Sequence, residues 1–220
     1  MKKPIGVEIF EKVANRYDQI SSILSFGIIK KWQRELLKDL DLSDKTVLDL
    51  ACGTGEISHL FENKTKMTIG LDYSLPMLKV AKSKNKKTIF VQGDALNLPF
   101  KDDSFDLVIV SLGLRHFDDL ERSLKEIKRV LKSKGKVRIL EVSIPQNPFL
   151  QKFFVAFLKF FVLPIGKFLS KGDVSEHLFG TILRFPHNES FLKLSKKIGF
   201  SKGKIKTLFF GIATIYEIGC

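Results

Sequence analysis

Cysteine is scarce in this 220-residue chain: Cys52 and Cys220 are the two. That excludes a disulfide framework and a Cys-based zinc site, so both are read as free thiols and no metal is expected. Low-complexity tracts, long Gly/Ser linkers and internal repeats are also missing, which excludes repeat and linker-joined architectures. The basic start Met1-Lys2-Lys3-Pro4 is not followed by an apolar signal core, so a cytoplasmic protein is expected. Acidic residues are outnumbered, 24 Asp and Glu against 37 Lys and Arg, leaving a formal net charge of +13. Such an excess attracts polyanions, either nucleic acid or an anionic membrane face, and charge alone does not choose between them. Lysines spread along the whole chain for solubility account for much of it. The length suits one α/β core rather than two, so a single domain over 1–220 is expected.

What is present is concentrated in Val47-Leu48-Asp49-Leu50-Ala51-Cys52-Gly53-Thr54-Gly55-Glu56, an apolar strand running into a glycine turn that opens a helix. Gly53 and Gly55 can take backbone angles closed to other residues and let a ligand approach the main chain. After a second apolar run, Met67 to Leu71, comes Asp72, where a carboxylate at a strand end can accept hydrogen bonds from ribose hydroxyls. Dinucleotide enzymes share this geometry but carry a third glycine, G-x-G-x-x-G, and here Ser58 holds that position. Asp49 would repel a pyrophosphate and suits a cofactor with a positive amine. With Gly93-Asp94-Ala95 further along, the pattern fits S-adenosylmethionine better than an ordinary strand-to-helix turn.

Strands and helices alternate, the pattern of a parallel sheet covered on both faces. A helix is expected from about Ser22 to Lys38, with Trp32, Leu36, Leu37 and Leu40 at helical spacing. Strands are expected at Thr46–Leu50, Met67–Asp72, Thr88–Gln92, Phe105–Leu112 and Lys136–Val142, the fourth so apolar that it must be central. Helices are expected at Glu56–Glu62, after a cap at Ser74, from Asp118/Asp119 to Lys132, and from an Asn188 cap to Ile198. Two last runs, Lys204–Phe210 and Ile212–Ile218, flank Gly211 as an antiparallel hairpin. The expected fold is therefore α/β: a Rossmann-like class I methyltransferase fold with a mainly parallel seven-stranded sheet and an antiparallel C-terminal strand. Asp72, Asp94, Ser111 and Glu141 fall at the carboxyl edge, where ligands bind in such sheets.

On specific residues the chain resembles the C-methyltransferases of ubiquinone and menaquinone biosynthesis over nearly its whole length. Val13-Ala14-Asn15-Arg16-Tyr17-Asp18, with Leu24-Ser25-Phe26-Gly27 and Trp32, is similar to the family's first signature. Ser111-Leu112-Gly113-Leu114-Arg115 is similar to its second and is more diagnostic than the glycine turn. Arg129-Val130-Leu131-Lys132, Leu140-Glu141-Val142-Ser143, Leu163-Pro164 with Gly166, and Gly211-Ile212-Ala213 follow in order. There are departures: His116 stands for the usual asparagine, and Ser133-Lys134-Gly135 for Pro-Gly-Gly. Phe149, Phe153 and Phe154 replace a tyrosine-rich stretch, Ser175-Glu176-His177-Leu178 replaces Tyr-x-Tyr-Leu, and Tyr216 stands where histidine is common.

The resemblance implies methyl transfer from S-adenosylmethionine to a ring carbon of a prenylated quinol, either demethylmenaquinol or a benzoquinol. A ring carbon is a poor nucleophile until an attached hydroxyl loses its proton. Arg115 would stabilise that anion directly or through a water, unless it merely pairs with Asp118 or Asp119. His116 is the candidate general base, the alternative being a helix-entry residue facing solvent. For the cofactor, Asp49, Gly53, Thr54, Gly55 and Ser58 are expected around the methionine end and Asp72 on the ribose. Asp94 and Ala95 would meet adenine, Ser111 would lie beside the sulfonium, and Tyr17 belongs to an N-terminal segment closing over it. The implied organisation is an N-terminal helical lid (1–42), a cofactor-binding core (43–145), an apolar helical insertion toward substrate (146–187) and a C-terminal helix and hairpin (188–220).

The insertion holds Phe149 to Leu163, apolar except for a narrow stripe of Gln151, Lys152 and Lys159. Lysines and Pro164 make it a poor spanning helix. Burial between the sheet and the C-terminal segment, contact with a prenyl tail, and peripheral docking on an anionic membrane are the readings, the first two favoured. Nucleic acid is not expected as partner, because the Asn/Asp-Pro-Pro-aromatic stretch and the thiol of base methyltransferases are missing after strand four. A phenolic acceptor of another kind, a non-catalytic S-adenosylmethionine binder and a homodimer are left open.

Overall fold

The computed structural model describes residues 5–170 and 174–220, so the expected reading of Met1 to Pro4 lies outside the described residues. Three N-terminal helices, α1 (Ile5–Val13), α2 (Tyr17–Leu24) and α3 (Ile28–Leu37), precede β1 (Thr46–Leu50). Then come α4 (Glu56–Phe61), β2 (Met67–Asp72), α5 (Leu75–Lys84), β3 (Ile89–Gln92) and β4 (Phe105–Ser111). They are followed by α6 (Leu120–Val130), β5 (Leu131–Val142), α7 (Pro148–Phe157), α8 (Leu163–Ser170), α9 (Val174–Arg184) and α10 (Glu189–Ile198). The strands β6 (Lys202–Leu208) and β7 (Ala213–Gly219) close the chain.

The seven strands form one sheet in the order β3-β2-β1-β4-β5-β7-β6, and β7 alone runs against its neighbours. This is the class I methyltransferase topology that the alternation of elements predicts. Side chains alternate across the sheet, as the two-residue period of a strand requires. On one face Leu48, Leu50, Val108, Val110, Val137 and Ile139 pack with Leu124 and Ile127 of α6 and Phe191 of α10. On the other, Val47, Leu107, Ile109, Leu140 and Ile215 pack with Trp32 and Leu36 of α3 and Ile57 and Phe61 of α4. Because β4 is buried on both sides, it reads as a continuous apolar run.

Four local expectations are corrected. The helix expected over Ser22–Lys38 is broken, because Phe26 and Gly27 take left-handed φ values of 49° and 71° between α2 and α3. The sixth helix stops at Val130 rather than Lys132, and Leu131 already pairs with Phe105. Asn188 makes no side-chain cap to α10. Instead its backbone N–H donates to the Tyr216 hydroxyl at 2.8 Å, which keeps that phenol in the core beside Phe191. The fourth is the apolar insertion, which is not sandwiched between sheet and C-terminal segment. Phe154 and Leu158 are buried, against Ile182 and Ile212, whereas Phe149, Phe153, Phe160, Phe161 and Phe168 are exposed. A π-helical turn at Leu158–Val162 accommodates Pro164 without ending the helix, so Pro148–Phe168 runs continuously over 21 residues, by length and apolarity enough to cross a membrane.

Candidate functional site

A cavity of about 360 Å³ opens at the carboxyl ends of β1, β2 and β4 and is roofed by the N-terminal helices. Its floor is the glycine turn. The two glycines serve differently. Gly53 (φ 53°) lines the cavity, and a Cβ added there would meet no atom within 4 Å, so it borders open space. Gly55 (φ 74°) is packed underneath, where a Cβ would lie 2.4 Å from Asn85 Nδ2 and 3.0 Å from Ala81 Cβ. The turn is held by Asp72, whose Oδ2 accepts the Gly53 N–H at 2.8 Å while Oδ1 accepts the Ser74 N–H at 2.8 Å. Burial pushes the Asp72 carboxyl up, against the pull of those amides.

Asp49 and Ser58, expected at the cofactor's methionine end, form a layer beneath the wall instead of the wall itself. Asp49 is fully buried, its Oδ2 accepting from Ser58 Oγ and its Oδ1 without a partner. Burial pushes its carboxyl up to about 7, with the Ser58 hydrogen bond opposing. At the end of β4, Ser111 lines the cavity with a buried hydroxyl that also lacks a partner. On the far wall, Asp94 Oδ1 accepts the Leu96 N–H at 2.8 Å, which presents Gly93 to Leu96 as a short turn around Ala95. Two unpartnered buried oxygens, a carboxylate layer and an open glycine turn suit a cationic nucleoside donor. The site therefore fits S-adenosylmethionine.

The N-terminal segment reaches over this floor. Thr54 Oγ1 donates to Asp18 Oδ1 at 2.5 Å, and Lys84 pairs with the same carboxylate, which ties α2 to the glycine turn and to α5. Tyr17, beside Asp18, faces the cavity and stacks edge-on against Phe10, and burial pushes its phenol up. Asp18 belongs to the segment that the sequence reading expects over the cofactor, and its tethering partners Thr54 and Lys84 are what the structure adds; Phe10 as the aromatic roof is missed, because its role depends on contacts with side chains from other helices.

Arg115 needs correction. It pairs with neither Asp118 nor Asp119, and it is not on the cavity wall. Its Nη1 donates to Glu141 Oε2 at 2.5 Å and to the Leu112 carbonyl at 2.7 Å, and its backbone N–H donates to Glu141 Oε1 at 3.2 Å. Both side chains are buried, so this ion pair is a clamp between the ends of β4 and β5. Gly113 completes the turn, since a Cβ there would lie 2.7 Å from that of Ala51 at the end of β1. The clamp delivers the next residue, His116, to the cavity, so it does not face solvent. Its Nδ1 lies 3.2 Å from Nε2 of His177 on α9, the rings stacked 5.2 Å apart, with the Phe10 ring edge-on at 5.0 Å. Burial, then the Arg115 and His177 charges, holds His116 well below the usual imidazole range. Among the described residues no group of three or more His, Cys, Asp or Glu is placed to hold a metal ion.

With this geometry, the likeness to known proteins is specific. The ubiE/COQ5 methyltransferase family matches residues 2–219. The demethylmenaquinone methyltransferase of Thermotoga maritima is 37% identical over 220 residues, 97% of this chain and 95% of the relative. That of Staphylococcus saprophyticus is 35% identical, covering 98% and 96%. Among solved structures, an S-adenosylmethionine-dependent methyltransferase of Thermotoga maritima superposes with a TM-score of 0.73 at 22% identity, over 97% of this chain and 99% of the other. Another from Methanococcus maripaludis gives 0.66 at 23%, over 100% and 94%, and the two share the fold. The fold and site define a class I methyltransferase using S-adenosylmethionine. Within that class, the chain belongs to the ubiE/COQ5 methyltransferase family.

Proposed function

We propose that this enzyme methylates a ring carbon of a prenylated quinol, demethylmenaquinol, the reaction that the names of its relatives carry. The observation that carries the acceptor class is the oily ridge at the cavity mouth. Ser25 and Gly27 line the cavity, and between them Phe26 stands 80% exposed, its ring 6.4 Å from that of Phe157 on α7. A polyprenyl tail leaving the cavity would run along that ridge, with the hydroxylated ring inside.

S-adenosylmethionine, when bound, supplies a sulfonium methyl group that a carbon nucleophile can take. The Gly53 main chain and Thr54 would receive its amino-acid end, Asp72 would hold the ribose hydroxyls, and Asp94 with Ala95 would border the adenine. Ser111 would offer its free hydroxyl beside the sulfonium, and Asp49, once ionised, would balance the positive charge from below. Tyr17 and Phe10 exclude water from above. His116, neutral in its buried position, takes the proton of the acceptor's hydroxyl, which pushes charge into the ring. Arg115 acts by holding the Gly113–His116 turn through Glu141, so it is a positioning residue. Orientation of donor and acceptor in a closed cavity supplies a large share of the acceleration. The exposed phenylalanines of α7 and α8, flanked by Lys152 and Lys159, form the surface through which the protein rests on the inner face of an anionic membrane.

The reading is tested with purified protein, labelled S-adenosylmethionine and reduced demethylmenaquinone. Label is expected in the lipid fraction. Tight donor binding with no transfer to any quinol would refute it.

A further inference from the structure

Transfer of a methyl group from a cationic sulfonium to a neutral hydroxylated ring releases one proton per turnover. Charge balance requires it, since donor cation and neutral acceptor become two neutral products. The cavity is closed above by Phe10 and Tyr17, so the proton needs a way out that does not admit water to the reacting atoms. His116 has one ring nitrogen committed to His177, Nδ1 to Nε2 at 3.2 Å, which leaves Nε2 to the cavity it lines. His177 is only half-buried, and so joins the cavity wall to the surface. Packing preserves this pairing. Gly6 of α1 lies directly over the outer ring, where a Cβ would come within 2.8 Å of His177 Nε2, and Phe10 stands edge-on to both imidazoles. The charges that reach the pair are Arg115 from the β4 turn, Arg184 from α9 and Asp118 from the loop before α6, the carboxylate opposing the two guanidiniums at His177.

We propose that His177 is the outer member of a two-histidine proton relay whose inner member is His116. The inference rests on the quinol reading above. The O–H bond of the acceptor's hydroxyl breaks, its electron pair staying on oxygen, and a new N–H bond forms at His116 Nε2. His116 Nδ1 gives its own proton to His177 Nε2, and His177 Nδ1 releases one to bulk water. The ring carbon–methyl bond would form as the donor's sulfur–methyl bond breaks; the hydrogen on that carbon then leaves as the ring regains aromaticity, while the oxygen regains a proton. The net result is that one proton enters the pair and one leaves, with no oxidant or reductant involved. The tautomers reset, with no net proton, when product departs and water re-enters the cavity. In this arrangement His177 also stabilises the imidazolium that forms at His116, as a neutral acceptor. It is a positioning and relay residue and does not itself touch substrate.

The test starts from wild-type methyl transfer to reduced demethylmenaquinone, followed by His177→Phe, which keeps a ring against His116 and removes both nitrogens. Turnover at neutral pH should fall by about 10- to 100-fold. Donor affinity should stay within about two-fold, since the ring stack is kept. The deficit should shrink as pH rises and the acceptor's hydroxyl ionises unaided. His177→Ala should lose turnover similarly and regain part of it when imidazole is added to the buffer. Wild-type turnover and an unchanged pH profile in His177→Phe would overturn the relay while leaving the quinol reading intact. So would a loss in both variants that imidazole does not restore and that tracks weaker donor binding, which marks a structural role. Absence of quinol methylation by the wild type would remove both ideas together.

Discussion

Strand β4 and the helical run Pro148–Phe168 are both strongly apolar, and they have opposite fates. Val108, Ile109 and Val110 lose all solvent contact between the two helical layers. Phe149, Phe160 and Phe168 stay 68%, 67% and 84% exposed. Hydrophobic content is therefore a demand for a partner rather than a statement of burial. In β4 the partner is the protein's own α3 and α6; on the ridge Phe154 and Leu158 are buried, whereas Phe149, Phe153, Phe160, Phe161 and Phe168 form an exposed apolar surface.

Three perturbations separate these regions. Ile109→Ala, in the centre of β4, should lower unfolding free energy by about 2–5 kcal/mol, read from urea denaturation, because surrounding strands cannot collapse into the space. Next to it in the ladder, Asp49 pairs in register with Ile109 and is the polar exception in the same layer. Its carboxyl keeps its proton in the folded state up to about 7, against about 4 when unfolded. Between those values the folded state binds more protons, so the group's contribution falls as pH rises from about 4 to about 7 and is level above. Relative to wild type, Asp49→Asn should gain stability over that window, with a slope of at most about 1.4 kcal/mol per pH unit; parallel stability curves would contradict the assignment. Smallest in stability should be Phe149→Ser with Phe160→Ser, each within about 0.5 kcal/mol, yet the pair should reduce co-sedimentation with anionic vesicles and turnover on long-tailed quinol. An unchanged vesicle affinity would leave the ridge without its lipid role.

The strands of the central sheet were legible because period, turn residues and length agreed. Thr46–Leu50 and Met67–Asp72 are observed with the expected bounds. The Ser74 and Asp119 caps also hold, each side chain accepting a backbone N–H of its helix. The gathering of Gly53, Thr54, Asp72, Ala95 and Ser111 around one cavity was legible for the same reason: residues at the carboxyl ends of parallel strands share an edge. The break at Phe26–Gly27 was hidden, because two left-handed residues interrupt the helix while the apolar periodicity continues on either side. The depth of Asp49 and Ser58, the Arg115 clamp and the His116–His177 contact were not legible either. The clamp spans 26 positions and the histidine contact 61, and no local spacing encodes which distant side chain fills a given gap.

By itself, the amino-acid sequence determined that one α/β sheet forms, that a glycine turn and an acidic strand end meet at its rim, and that the chain resembles quinone-directed methyltransferases. Those features depend on backbone angles and on side chains a few positions apart. Tertiary structure alone decided that Arg115 is buried against Glu141 instead of facing the acceptor, that His116 gains a second imidazole, and that the phenylalanine ridge stays uncovered. Each of these depends on which surfaces the folded layers bring together, and burial and charge pairing are properties of that assembly.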